Sequence, residues 1–377
     1  MTRPGHPTIF DTHSTSMGMR ALPSSDKTLS VMAFFCSCAA LVVSLVGWAT
    51  FDLPITKYVR SVTVHLPWDQ LAVPWMAFTS NFGDWIGQGW RLAFVSLLLL
   101  AVAWAFNRPM LKVAAIQSLI AHGIAAILAN GLKHLIGRPR PKFTHSGDWQ
   151  ITMSFVSGLD SFPSGHSTAS FAVATVLAKR FPIWGPLCIS LAAFVALSRV
   201  LRGSHFPTDA VGGAIVGVLS GSIAAAPFRE WRTSLQEGCR RAAIGVSVAF
   251  AVLWTLSHKM DDEFVGTLLM GLGAAAIMAS VWIRWTGWKL GERSKGTWHL
   301  KTSLYLMGYG LAAMTTSLLV VSAVGFTCLA CWFHANTKAP GSSEELLNLS
   351  IVKEGALFGG LALAVLILVT ARGVLPF

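Results

Sequence analysis

The sequence predicts an all-α fold that crosses a membrane many times, and three observations lead there. Of 377 residues, 53% are hydrophobic and only 12% charged, against roughly 25% charged in a typical soluble domain. Apolar runs of spanning length, or close to it, recur along the whole chain, at about 30–50, 91–107, 112–132, 165–180, 183–202, 207–227, 241–257, 264–284, 303–333 and 351–371. The polar residues capable of chemistry, by contrast, gather in three short clusters at the edges of those runs.

Taken in order, residues 1–29 form a polar tail, expected on the cytoplasmic side, and the first run is long enough to remain as a signal anchor. Residues 51–90 carry Trp68, Trp75, Trp85 and Trp90. That stretch suits either an interfacial helix with an aromatic belt or a packed cap over the helix ends. The third run contains Gln117, His122 and Asn130, expected as hydrogen-bond partners between helices. The fourth is the shortest, with its apolar part confined to Ala169 to Ala178, so it must extend back through the polar turn at Pro163 to His166. The ninth is too long for a perpendicular helix and is expected to tilt or to run past the interface. An outer loop, Asn336 to Asn348, has a turn at Pro340 to Ser343.

With the amino terminus inside, 17 of the 29 Lys and Arg residues fall on the inner face. All three polar clusters then lie outside, as one shared site requires. The formal charge of +12 follows from these loop residues, and topology and anionic headgroups account for it. Nucleic acid is therefore not an expected partner. Cys328 and Cys331 have C-x-x-C spacing without the flanking context of a redox or metal site, and they read as small apolar residues.

The first cluster is Lys133 followed by Arg140-Pro141, two cations at a helix end. The second is Phe162-Pro163-Ser164-Gly165-His166-Ser167, in which Ser164 suits an N-cap. The first-turn N–H groups behind it, with the helix dipole, form an anion site that glycine lets a phosphate approach closely. The third is Ser198-Arg199, then His205-Phe206-Pro207-Thr208-Asp209, with Pro207 at the first helical position. There Asp209 can reach back to one imidazole nitrogen of His205 and leave the other facing a substrate. Taken singly, snorkelling and headgroup contact are the favoured readings of the first cluster and helix capping of the third, and an ordinary capped helix start also explains the second. Arg138, Lys142 and Arg202 read as solvated loop charges, with a diphosphate or anionic headgroup as the alternative.

Together the clusters read Lys133-x6-Arg140-Pro141, Pro163-Ser164-Gly165-His166 and Ser198-Arg199-x5-His205-x3-Asp209. This order and spacing resembles the signature of the type-2 phosphatidic acid phosphatase superfamily, which also includes vanadium haloperoxidases. The resemblance covers about residues 30–227 and departs at no defining position.

It implies a six-span phosphatase core over 30–227, leaving 228–377 as an accessory four-span membrane domain. It also implies that His205 attacks phosphorus to form a phosphohistidine while Asp209 orients it. His166 would protonate the leaving oxygen and then activate water. Lys133, Arg140 and Arg199, with the backbone of Ser164 and Gly165, would bind the phosphoryl oxygens. Three cations and a helix N-terminus neutralise phosphate without a divalent ion, so neither metal nor cofactor is expected.

The expected activity is hydrolysis of a lipid phosphomonoester or diphosphate at the outer face, in a bacterial inner membrane with the site facing the periplasm or exterior. Candidate substrates are undecaprenyl diphosphate, phosphatidylglycerol phosphate, phosphatidic acid and the lipid A phosphates. The alternative is phosphotransfer or headgroup transfer to a lipid hydroxyl from the same site. Self-association through the C-terminal spans is left open.

Overall fold

The computed structural model describes residues 24–63, 74–144, 152–259, 264–289, 297–337, 364, 366 and 370–377. Among these are twelve α-helices and no strand: α1 (Ser24–Ala49), α2 (Asp52–Thr63), α3 (Pro74–Gly87), α4 (Gly89–Ala105), α5 (Pro109–Ile136), α6 (Gly165–Arg180), α7 (Gly185–Leu201), α8 (Pro207–Ala224), α9 (Trp231–Ser257), α10 (Phe264–Lys289), α11 (Thr297–Met314) and α12 (Leu318–Asn336). Seven of the described helical segments are long and apolar enough to cross a bilayer, and the bent pair α3–α4, with a 57° angle at Gln88, is a further candidate. The chain is an integral membrane protein. Most of the polar tail, Trp68, the Pro340 to Ser343 turn and most of the expected last span lie outside the described residues.

The core around the clusters is built from small residues. Gly213, Gly217 and Gly221 form a ridge along α8, and a Cβ on each would come within 2.6, 2.5 and 2.4 Å of the carbonyl oxygens of Ser164, Thr168 and Ala172 on α6. Without side chains there, the two backbones approach closely, which is how helices gain packing energy where lipid gives no hydrophobic push. On the other side of α6, Ala172 and Val176 pack with Ala121 and Ala125 of α5. The short α6 is thus held among α5, α7 and α8, and its sixteen residues begin at the polar turn as expected.

Because successive helices run in opposite directions, the C-terminal ends of α5 and α7 and the N-terminal ends of α6 and α8 lie at one end of this bundle. The helix α1 packs elsewhere, through Ala40 and Leu41 against Ala242, Ala243 and Val246 of α9. Its partner Phe51 meets Phe250, Ala312 and Val320.

Two expectations are corrected. The ninth apolar run is not one tilted helix but two, α11 and α12. The Thr315 hydroxyl donates to Ala312 O at 2.6 Å, Thr316 takes φ +63°, and the Ser317 side chain accepts from Val320 N to start α12. Three consecutive hydroxyl residues can bond their own backbone, and here they end one helix and cap the next. In the third run only Gln117 bridges helices, accepting from Arg180 Nε at 2.7 Å, whereas Asn130 is exposed.

Within residues 51–90, the described helix α3 has a packed face and an aromatic one. One face of α3 buries Met76, Thr79 and Ser80, and the other exposes Trp75, Phe78, Phe82 and Trp85. The rings of Phe78 and Phe82 stack at 5.1 Å between centroids. An amphipathic helix with an aromatic outer face suits the bilayer interface.

Candidate active site

Deep in the site is His205, 3% exposed in the loop between α7 and α8. Pro207 opens α8 with its φ already helical, so His205 stands just ahead of the helix and Asp209 in its first turn. The imidazole Nδ1 lies 2.8 Å from Ser161 O and 3.8 Å from Asp209 Oδ2. A carbonyl can only accept, so Nδ1 carries the proton and Nε2 keeps its lone pair.

Thus the expected direct contact from Asp209 to the imidazole is replaced by the Ser161 carbonyl, with the carboxylate close behind it. Burial pulls His205 down to about 4, against the opposing pull of Asp209. The ring is therefore neutral at physiological pH.

Asp209 itself is fully used. Its Oδ2 accepts from Ser161 Oγ at 2.5 Å and from Phe206 N at 2.8 Å, and its Oδ1 accepts from Arg138 Nη1 at 2.7 Å. Arg138 corrects the sequence reading, for it is not a solvated loop charge but wholly buried. Gly137, at φ +57°, ends α5 in a left-handed turn that sends the following chain back under the helix end. The second Arg138 nitrogen donates to Asp52 Oδ2 at 2.7 Å, and the guanidinium lies 4.2 Å above the Phe206 ring. Asp52, at the start of α2, also accepts from Thr208 N at 2.9 Å. Burial pushes Asp52 up, with Arg138 and Thr208 pulling the other way.

Nearer the mouth lie the cations. Arg140 forks onto Asp160 with bonds of 2.8 and 2.6 Å, and Lys133 Nζ is 3.8 Å from the same carboxylate. Burial pushes Asp160 up, but the hydrogen bonds and charge of Arg140 and the charge of Lys133 outweigh it and hold the carboxyl below its usual range. Lys133 Nζ also stands beside Gly165, 3.7 Å from where a Cβ would be. Arg199 contacts Asp84 Oδ1 directly, Arg202 Nη1 is 3.2 Å from Asp84 Oδ2, and His166 Nε2 is 3.4 Å from Asp84 Oδ1. Lys142 is exposed.

At the start of α6, Ser164 occupies the N-cap position with extended backbone, but its hydroxyl makes no capping bond and instead accepts from Ser167 Oγ at 3.1 Å. Its own N–H donates to Asp209 O at 2.9 Å, tying the second cluster to the third. What the turn offers an anion therefore begins at Gly165.

All eight residues expected from the sequence, Lys133, Arg140, Ser164, Gly165, His166, Arg199, His205 and Asp209, are brought to one end of the bundle. Missed were Asp52, Asp84, Asp160 and Ser161. An acid in an apolar segment is costly unless paired, which was the available signal for Asp52 and Asp84. Among the described residues no group of three or more His, Cys, Asp and Glu is gathered as for a metal ion.

Residues 114–232 match the model of the PAP2 superfamily. A lipid A 1-phosphatase of Rhizobium etli is 38% identical over 95 residues, 25% of this chain and 41% of that protein. One of Rhizobium johnstonii is 36% identical over 106 residues, 28% of this chain and 43% of that protein. A decaprenylphosphoryl-5-phosphoribose phosphatase of Mycobacterium tuberculosis is 33% identical over 144 residues, 38% of this chain and 73% of that protein. The chain belongs to the PAP2 superfamily.

It spans about two-fifths of the lengths of the two lipid A 1-phosphatases. No solved structure matches it. The PAP2 match begins within α5 and ends at the start of α9, so it takes in Lys133 through Asp209 but leaves out Asp52 and Asp84.

Proposed function

We propose that this protein is a membrane lipid phosphatase that hydrolyses a lipid phosphomonoester or diphosphate through a phosphohistidine on His205. The observation that carries the reading is His205 itself: neutral, with Nδ1 committed to Ser161 O and Nε2 available, within the field of Arg199 and Arg140. Nε2 attacks phosphorus as the bond to the lipid oxygen breaks, and His166 gives that oxygen its proton. Water then attacks the phosphohistidine, His166 takes a proton from it, and the P–N bond breaks to release inorganic phosphate. The cations and the α6 N-terminus from Gly165 onward stabilise the charge on the equatorial oxygens. They supply positive charge where a divalent metal otherwise would, so the reaction is expected to proceed without one.

The relatives' names, a lipid A 1-phosphatase and a decaprenylphosphoryl-5-phosphoribose phosphatase, favour a lipid-borne phosphate as substrate. The exposed aromatic face of α3 beside the site supports approach from the bilayer. In this reading residues 30–227 are the phosphatase core and 228–377 an accessory membrane domain open to self-association. The site faces the periplasm or exterior of a bacterial cell membrane.

The test is phosphate release by the purified protein from phosphatidic acid, phosphatidylglycerol phosphate, undecaprenyl diphosphate and lipid A, with EDTA present. Release without added metal is expected. Strong dependence on magnesium refutes the mechanism, and headgroup transfer without phosphate release replaces hydrolysis with transfer.

A further inference from the structure

The carboxylate of Asp84 lies outside the three sequence clusters and outside the PAP2 match, yet it touches more of the site's charged groups than any phosphate-binding residue does. It comes from α3, which is pressed against α7. A Cβ on Gly83 would fall 2.3 Å from Ser198 Cβ, and one on Gly87 2.3 Å from Val195 and 3.2 Å from His166 Cδ2. With glycine at both positions α3 closes onto α7, and the residue next to Gly83 is delivered to the site.

Its two oxygens span three groups. Oδ1 lies between Arg199 Nη1 and His166 Nε2, and Oδ2 faces Arg202. Under the proposed function a transferring phosphoryl group puts its oxygens on Arg199 and its leaving oxygen against His166. A carboxylate oxygen bridging that same arginine and histidine therefore occupies ground a phosphoryl oxygen needs. Both are anions, so they compete for the cations and repel each other at contact.

We propose that Asp84 is an internal ligand of the phosphate site. It holds Arg199 and Arg202 in place, gives them up to an incoming phosphoryl group, and pairs with them again as inorganic phosphate departs. This makes α3 the element that sets how tightly phosphate is held. The inference rests on the proposed function, because it takes Arg199 and His166 as phosphoryl-handling groups. Asp160 stands in the same relation to Lys133 and Arg140, but from the loop that carries Arg140 itself.

The test is calorimetric binding of orthovanadate and of inorganic phosphate to the purified protein in detergent, a readout that does not need turnover. Asp84→Asn keeps the shape and removes the charge, and it is expected to bind both anions at least about fivefold more tightly, since losing a charged hydrogen-bond competitor is worth that much or more. Asp84→Glu keeps the charge on a flexible stem, and it is expected to stay within about threefold of the wild type because the competitor remains.

Weaker or unchanged vanadate binding by Asp84→Asn overturns the proposal and makes Asp84 a plain structural partner. If the Asn variant fails to elute as a folded species, Asp84→Glu decides: affinity for vanadate raised beyond threefold overturns the competition, and affinity kept supports it. A wild-type protein that neither binds vanadate nor releases phosphate refutes the proposed function instead.

Discussion

Replacing Arg138 by methionine removes a guanidinium that has no exposure and donates to two carboxylates, Asp209 and Asp52, at 2.7 Å each. Methionine fills much of the same volume over the Phe206 ring, so the change isolates the charge. Two hydrogen bonds to charged groups are worth about 1.5–3 kcal/mol each, and removing one partner of a buried ion pair costs about 3–5 kcal/mol. We therefore expect Arg138→Met to destabilise by about 3–5 kcal/mol, a large share of the roughly 5–15 kcal/mol that holds a domain together. Thermal unfolding in detergent, followed by intrinsic tryptophan fluorescence, reads it. The double variant Asp52→Asn/Arg138→Met should recover about 1–3 kcal/mol relative to the sum of the two single changes, because it also removes a stranded carboxylate. A solvated arginine would instead shift stability by no more than about 0.5 kcal/mol. That result, or strict additivity in the cycle, refutes the buried network.

Three further outcomes are expected. His205→Ala loses phosphate release altogether, whereas His166→Ala, given a substrate with a good leaving group, slows by roughly 10²–10⁴-fold and accumulates the phosphohistidine, detected by acid-labile radiolabel; absence of label in every variant tells against the covalent step. Burial holds His205 at about 4 in the folded chain against an ordinary value of 6.5, so between those values the unfolded state binds the extra proton and stability rises with pH. His205→Gln should flatten that part of the stability profile, and an unchanged profile contradicts it. Gly217→Ala puts a Cβ 2.5 Å from Thr168 O and should cost about 1–3 kcal/mol by overpacking α6 against α8, read by the same unfolding assay.

The three clusters are legible in the sequence because each is a set of residue types at fixed spacing, and alternating spans put all three at one end. What escaped depended on direction and on distant chain. Periodicity does not say which way an arginine in a short loop faces, and only the left-handed turn at Gly137 shows that Arg138 goes inward. The carboxylates that meet the cations come from as far away as Asp52, 86 residues from Arg138 in sequence. Hydropathy also carried one run through Thr315-Thr316-Ser317, since single hydroxyls are tolerated in a span. Three in succession form a turn signal that outweighs the apolar average.

The acids that were missed explain how so many cations can stand in the wall of a membrane protein. Lys133, Arg140, Arg199 and Arg202 face Asp160 and Asp84, and four positive charges against two negative leave a surplus of two. Arg138, deeper in, is shared between Asp52 and Asp209, so that buried group carries one negative charge more than positive. A phosphomonoester carries about −1.5 to −2 at neutral pH, so the surplus at the mouth has the sign such a group needs. Each cation meanwhile keeps a partner that limits the cost of its burial. The segment between the first two spans, which composition marks as interfacial or as a packed cap, thereby becomes part of the candidate site: α2 brings Asp52 against the first turn of α8, and α3 brings Asp84 to the mouth. On this reading the PAP2 region supplies the reacting groups, and Asp52 and Asp84 from ahead of it join Asp160 within it in setting the charge they work in.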